Sequence, residues 1–177
     1  MSAAAGSIRT GIGGWVFPAW RGGTFYPAGL PQREELAYAS QQLGCIEINS
    51  TFYRAQKPAI YAQWRAQTPE GFRFSAKAPR TITQTHDLTT VGERAERFIN
   101  GITALEDRLG PLIWQFGDSH PAGAAEFDRF LGMLPRKVDG HRLQHALEVR
   151  NPAAWTPERI MGAKGFGLIA GAVIALL

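Results

Sequence analysis

Apolar residues recur along the chain in short alternating runs, separated by longer stretches with a helical period. In "GCIEINSTFYR" (44–54), Ile46 and Ile48 share one face and Cys45, Glu47 and Asn49 the other. The pattern predicts a strand with one face under a covering layer and a polar second face. A first strand is expected in "IRTGIGGW" (8–15), with Ile8, Thr10 and Ile12 alternating against glycines. Further strands are expected in "FRFSAKAP" (72–79), "PLIWQFG" (111–117) and "HALEVR" (145–150). A sixth would fall in "LIAGAVIALL".

Between them lie helical patterns. "PQREELAYASQQLG" (31–44) has Pro31 near its start, early acids, and Gly44 as its cap. "PAIYAQWRAQT" (58–68) sets Ile60, Tyr61 and Trp64 on one stripe. "GERAERFINGITALEDRLG" (92–110) reads as one long helix closed by Gly110, and "AAEFDRFLGMLP" (124–135) as another. "RTITQTHDLTT" reads as a polar loop, and "TPERIMGAKG" (156–165) as the start of a helix.

Alternating strands and helices make an α/β protein with a parallel sheet. Gly11-x-Gly13 lacks the rest of a dinucleotide fingerprint. This favours an incomplete (β/α) TIM-type barrel, about five to six units of the usual eight, in one partial domain over 1–177.

The polar faces then line up. Glu47, Asn49, Ser75, Lys77, Gln115, Glu148 and Arg150 would look into the lumen, with Asn49, Lys77, Gln115 and Arg150 at the C-terminal strand ends, where barrel active sites lie. Two readings compete: a self-neutralising structural network, and a ligand pocket. Lys77 could act as base, Schiff-base amine or anion clamp, and Glu47 or Glu148 as general base. Ser50 and Thr51 suit a turn cap or a ligand hydrogen bond; Trp15, Trp20, Phe52 and Tyr53 suit packing or a stacking wall.

Composition narrows the classes. The chain has 177 residues, 45% hydrophobic and 19% charged, which is a globular composition. A net charge of +4 with scattered Lys and Arg does not signal nucleic acid or a membrane surface. The single cysteine, Cys45, fits a buried thiol in a reducing cytoplasm, and the first residues lack the pattern of a signal peptide. His86, His120, His141 and His145 show no close paired spacing, so no metal site is assigned, and no cofactor is named. The segment 166–177 is atypical in carrying no charge, and is expected to mark a chain cut short.

In order, "GIGGW" with "FYP" after it, "EINSTFYR", "GFRFSAKAPRTITQTH", "LGPLIWQF" and "LEVRNPAAW" resemble the domain-of-unknown-function 72 family, also called YecE-like, over roughly 8–155. The resemblance implies a bacterial TIM-type barrel without an established activity. It carries over Trp15, Glu47, Asn49, Thr51, Phe52, Tyr53, Lys77, His86, Gln115, Glu148, Arg150 and Trp155 as the motif residues. Glu47, Lys77 and Glu148 are taken as catalytic candidates. Trp15, Asn49, Thr51, Tyr53, His86, Gln115 and Arg150 are taken as substrate-binding ones. The expected function is enzymatic, on a small polar, anionic or sugar-like substrate. The alternatives are a non-enzymatic binding module, including one for nucleic acid, and a truncated fragment without function. If the sheet is open, its edges and an apolar face would drive self-association.

Overall fold

The computed structural model describes residues 8–117, 124–149 and 167–170. Among the described residues six strands form one parallel sheet in the order β1-β2-β3-β4-β7-β8. They are β1 (Gly11–Gly13), β2 (Cys45–Ile48), β3 (Arg73–Lys77), β4 (Leu109–Phe116), β7 (His145–Val149) and β8 (Gly167–Ala170). The remaining two strands, β5 (Lys137–Val138) and β6 (His141–Arg142), make a small antiparallel hairpin. Parallel neighbours need crossovers. These carry α1 (Glu35–Gln42), α2 (Ser50–Tyr53), α3 (Pro58–Ala66), α4 (Arg80–Thr83), α5 (Gly92–Ile102) and α6 (Ala124–Met133).

The two faces of the sheet separate by parity. Ile46, Ile48, Phe74, Ala76, Leu112, Trp114, Phe116 and Leu147 point into the core shared with the helices, joined there by Leu36, Tyr61, Phe98, Ile99 and Phe130. The opposite face carries Cys45, Glu47, Ile113, Gln115 and Ala146, all buried. An inner face left exposed by an open sheet is therefore not found at these positions. The edges are real among the described residues: β1 and β8 pair on one side only.

A bulge sets the parity of β4. Phe74 pairs with Leu109, but Ala76 pairs with Leu112, so β4 carries one extra residue. Without it, Gln115 would face the helices and Trp114 the opposite face of the sheet. Gly110 sits at this irregularity. A Cβ there would lie 2.8 Å from the Phe74 carbonyl oxygen. Gly110 thus belongs to a strand, not to a helix end as the sequence pattern suggested.

Other boundaries also differ from expectation. The long helix at 92–110 stops at Ile102 and continues as a 3-10 segment, Thr103–Arg108. It breaks at Glu106, which adopts φ 46° while its carboxylate pairs with Arg65 at 3.0 Å. Gly44 is not a left-handed cap: Leu43 caps α1, and the Gly44 N–H donates to the Thr10 carbonyl to begin strand pairing. Pro31 precedes a 3-10 turn, Gln32–Glu34, and α1 begins only at Glu35. The polar loop after β3 contains α4 and a 3-10 turn at Leu88–Thr90. The helix expected at 156–165 lies outside the described residues.

Candidate functional site

Strand β2 delivers Glu47 to the inner face, level with Gly13 on one side and Ser75 on the other. Two residues further along β3, Lys77 reaches back. Its Nζ lies 3.5 Å from Glu47 Oε1, with the Glu47 side chain 6% exposed and that of Lys77 13%. The contact is at ion-pair range but lacks hydrogen-bond geometry, so Glu47 Oε1 is buried without a hydrogen-bond partner among the described residues. A buried carboxylate oxygen in this state is costly unless a donor reaches it.

Across the sheet, Gln115 and Glu148 are register partners on β4 and β7. Gln115 Nε2 donates to Glu148 Oε1 at 2.6 Å. The side-chain amide of Gln115 is thereby oriented by a neighbouring carboxylate. Above the strand ends opens a cleft of about 360 Å³ lined by Asn49, Phe52, Tyr53, Lys77, Gln84 and Gln115. Its size suits a small molecule.

Local sequence explains how the lining is held. Gly13 makes room for Asn49, since a Cβ on Gly13 would come within 2.9 Å of Asn49 Nδ2. The chain turns directly from β2 into the single-turn helix α2. Thr51 is fully buried there, its Oγ1 2.8 Å from the Ile48 carbonyl and 2.7 Å from that of Lys77. That hydroxyl ties the start of α2 to the end of β3 and so fixes where Lys77 leaves its strand. Thr51 thus ties the two strand ends together and does not line the cleft. Tyr53 stands 69% exposed on the rim, with the Arg80 guanidinium 5.7 Å from its ring centroid.

The remaining candidates divide. Trp15 does not line the cleft: it packs edge-on against Trp64 at 5.1 Å and near Phe74 at 6.3 Å, within the helical layer. Trp20 likewise stacks among Phe17, Phe25 and Tyr26. The aromatic wall thus splits into packing residues and the two cleft residues Phe52 and Tyr53. His86 is exposed and outside the cleft, because α4 turns the chain away before reaching it. Arg150 and Trp155 lie outside the described residues. Gln84, at the C-cap of α4, was missed because the segment read as an irregular loop.

Two buried titratable groups stand apart from this cleft. Burial pushes the Cys45 thiol up, so at neutral pH it is protonated and unreactive. Burial raises the Tyr26 phenol to about 12, helped by the nearby Glu35 carboxylate; its hydroxyl donates to the Trp15 carbonyl. Among the described residues no group of three or more His, Cys, Asp or Glu is placed to hold a metal ion. No helix among them is long and apolar enough to cross a membrane.

This strand order and inner-face chemistry can be set beside known proteins. Residues 9–171 match the family model described as Protein of unknown function DUF72. The chain belongs to the DUF72 family. It is 30% identical over 129 residues to UPF0759 protein YecE of Escherichia coli K12, an alignment covering 64% of this chain and 44% of YecE. The chain thus spans less than half the length of that relative. Among solved structures, a DUF72 family protein from Thermotoga maritima superposes with a TM-score of 0.67 at 23% identity, over 86% of this chain and 59% of that one. Another, from Enterococcus faecalis, gives 0.66 at 20% identity, over 88% and 55%. These likenesses show the fold: an α/β sheet with the organisation of an incomplete (β/α) barrel.

Proposed function

We propose that the strand-end cleft binds a small polar molecule, anionic or rich in hydroxyls, and that in this family the site is enzymatic. The carrying observation is the Glu47–Lys77 pair: buried, 3.5 Å apart, leaving Glu47 Oε1 without a hydrogen bond among the described residues, with Lys77 lining an open cleft. A self-neutralising structural pair would be expected to close to hydrogen-bond geometry. Here Lys77 lines the cleft and would face a ligand's negative charge, and Glu47 Oε1, buried directly behind it, would meet a ligand hydroxyl once Lys77 moves aside. Asn49, Gln84 and Gln115 supply amide donors and acceptors around it, and Phe52 offers an apolar wall. In a turnover step, Glu47 would take a proton from the bound ligand and Lys77 would steady the resulting charge. Glu148 acts through Gln115, which it holds by the 2.6 Å hydrogen bond.

The test is a thermal-shift screen with sugars, sugar phosphates and hydroxy acids, repeated on Lys77→Met and Gln115→Ala. A polar ligand should raise the melting temperature of the native chain and fail to do so in both variants. A shift that survives both variants would sink the reading. Once a ligand is found, Glu47→Gln should keep binding within a few fold and remove turnover in a longer family member.

The buried free Cys45 supports a reducing, cytoplasmic setting. The one-sided edges of β1 and β8 support self-association. Light scattering across a concentration series checks the latter: a mass that stays monomeric at the highest concentration would rule it out.

A further inference from the structure

A second and larger groove lies beside the first, meeting it at Tyr53. It runs between the α2–α3 connection, the start of α4 and the outer face of α5, with a volume of about 850 Å³. Its floor is apolar: Ile82 and Phe98 are buried beneath it, flanked by Pro58 and Pro79. Its walls carry Arg54, Lys57, Arg94 and Arg97 and, among the described residues, no carboxylate. None of these four cations forms an ion pair among the described residues, although Glu93 and Glu96 lie on the same helix as Arg94 and Arg97. Four like charges around one apolar floor repel one another, and a bound anion relieves that repulsion.

We propose that this groove binds an acidic peptide segment of a partner protein, with one apolar side chain resting on the exposed ring of Pro58 above the buried Ile82 and Phe98 and its carboxylates meeting Arg54, Lys57, Arg94 and Arg97. The form of the groove selects the occupant. Arg54, Lys57, Pro58, Thr81 and Arg97 are exposed, so the groove is a broad surface channel and not an enclosed metabolite cavity. An extended segment fills such a channel and delivers several carboxylates at once. Single-stranded nucleic acid fits less well, because it relies on successive aromatic platforms. Phe98 is 3% exposed, and Tyr53, the remaining aromatic lining residue, is already approached by the Arg80 guanidinium. The rim cations would speed encounter, and the apolar anchor would set the residence time.

The experiment is fluorescence anisotropy on the full chain with three labelled probes: a short Glu-rich peptide with one central Phe, the same peptide with Ala in its place, and an oligothymidylate of equal charge. The Phe peptide should bind, the Ala peptide about tenfold more weakly, and the oligonucleotide more weakly than the Phe peptide at the same salt. Lys57→Glu with Arg97→Glu changes two exposed side chains and should keep the far-UV circular dichroism spectrum while weakening the Phe peptide by at least about tenfold. Equal affinity for the Phe and Ala peptides would overturn the anchored mode. Tighter binding of the oligonucleotide would overturn the choice of partner. Peptide binding unchanged in a folded Lys57→Glu, Arg97→Glu variant would overturn the site.

Discussion

Glu47 and Lys77 stand 3.5 Å apart on neighbouring parallel strands, two register steps out of line, so that the lysine leans back over the carboxylate. Removing one member leaves the other buried without a partner. Lys77→Met should therefore destabilise the chain by about 3 kcal/mol in urea titration, the low end for breaking a buried pair. The double change Glu47→Gln, Lys77→Met should recover most of that loss, because no uncompensated charge remains. Equal stability of the single and double variants would mean that the pair is solvated in practice.

Gly11 and Gly13 face the same neighbour, β2, but make opposite predictions. A Cβ on Gly11 would lie 2.1 Å from the Cys45 carbonyl oxygen, which is backbone and cannot yield without parting the strands. Gly11→Ala should cost about 2 kcal/mol or more. A Cβ on Gly13 instead meets the Asn49 side-chain amide at 2.9 Å, which can swing aside. Gly13→Ala should fold with a small loss of stability and a marked loss of ligand affinity in the strand-end cleft. Chemical denaturation of the two variants, with ligand titration of the second, separates the cases.

The parity of Glu47 against Ile46 and Ile48 was legible in sequence because a two-residue period survives in a strand buried on both faces only when one face is polar. Lys77, Gln115 and Glu148 were reached in the same way. What alternation does not carry is depth and lateral position. Trp15 follows β1 just as Tyr53 follows β2, yet one packs under α3 and the other lines the cleft. The bulge in β4 was hidden because Gly110 read as a helix end, so the strand was taken to begin only at Pro111. Gln84 was hidden because a single helical turn such as α4 is too short to show a period.

Thr51 offers a test of positioning as distinct from binding. Its hydroxyl is shared between the carbonyls of Ile48 and Lys77, both inside the fold. Thr51→Val keeps the shape and removes the donor, and should cost about 1–2 kcal/mol. Thr51→Ser should restore most of the stability and the ligand affinity of the cleft. If Thr51→Val left stability unchanged but abolished ligand binding, the hydroxyl would be a direct ligand contact after all.

His145 should make the stability of the chain depend on pH. Its ring lies on the helix side of β7, where Trp114 Nε1–H donates to His145 Nδ1 at 3.0 Å, and His145 Nε2 lies 2.8 Å from the Pro135 carbonyl oxygen. That network assigns the proton to Nε2 and leaves Nδ1 bare. Burial holds the imidazole below the ordinary histidine value of 6.5, with the Arg136 charge acting in the same direction against the opposing Pro135 hydrogen bond. Well above pH 6.5 the ring is neutral in both folded and unfolded chains, and its contribution is fully present. As pH falls below that value, the unfolded chain takes up a proton that the folded one refuses. Stability then declines, at no more than about 1.4 kcal/mol per pH unit, until the folded imidazole itself titrates. Protonation at Nδ1 would also break the bond from Trp114. Urea midpoints measured between pH 7.5 and 5 should fall for the native chain. They should fall less for His145→Gln, which is weaker throughout but does not titrate. Parallel pH slopes in the two proteins would place the acid sensitivity elsewhere.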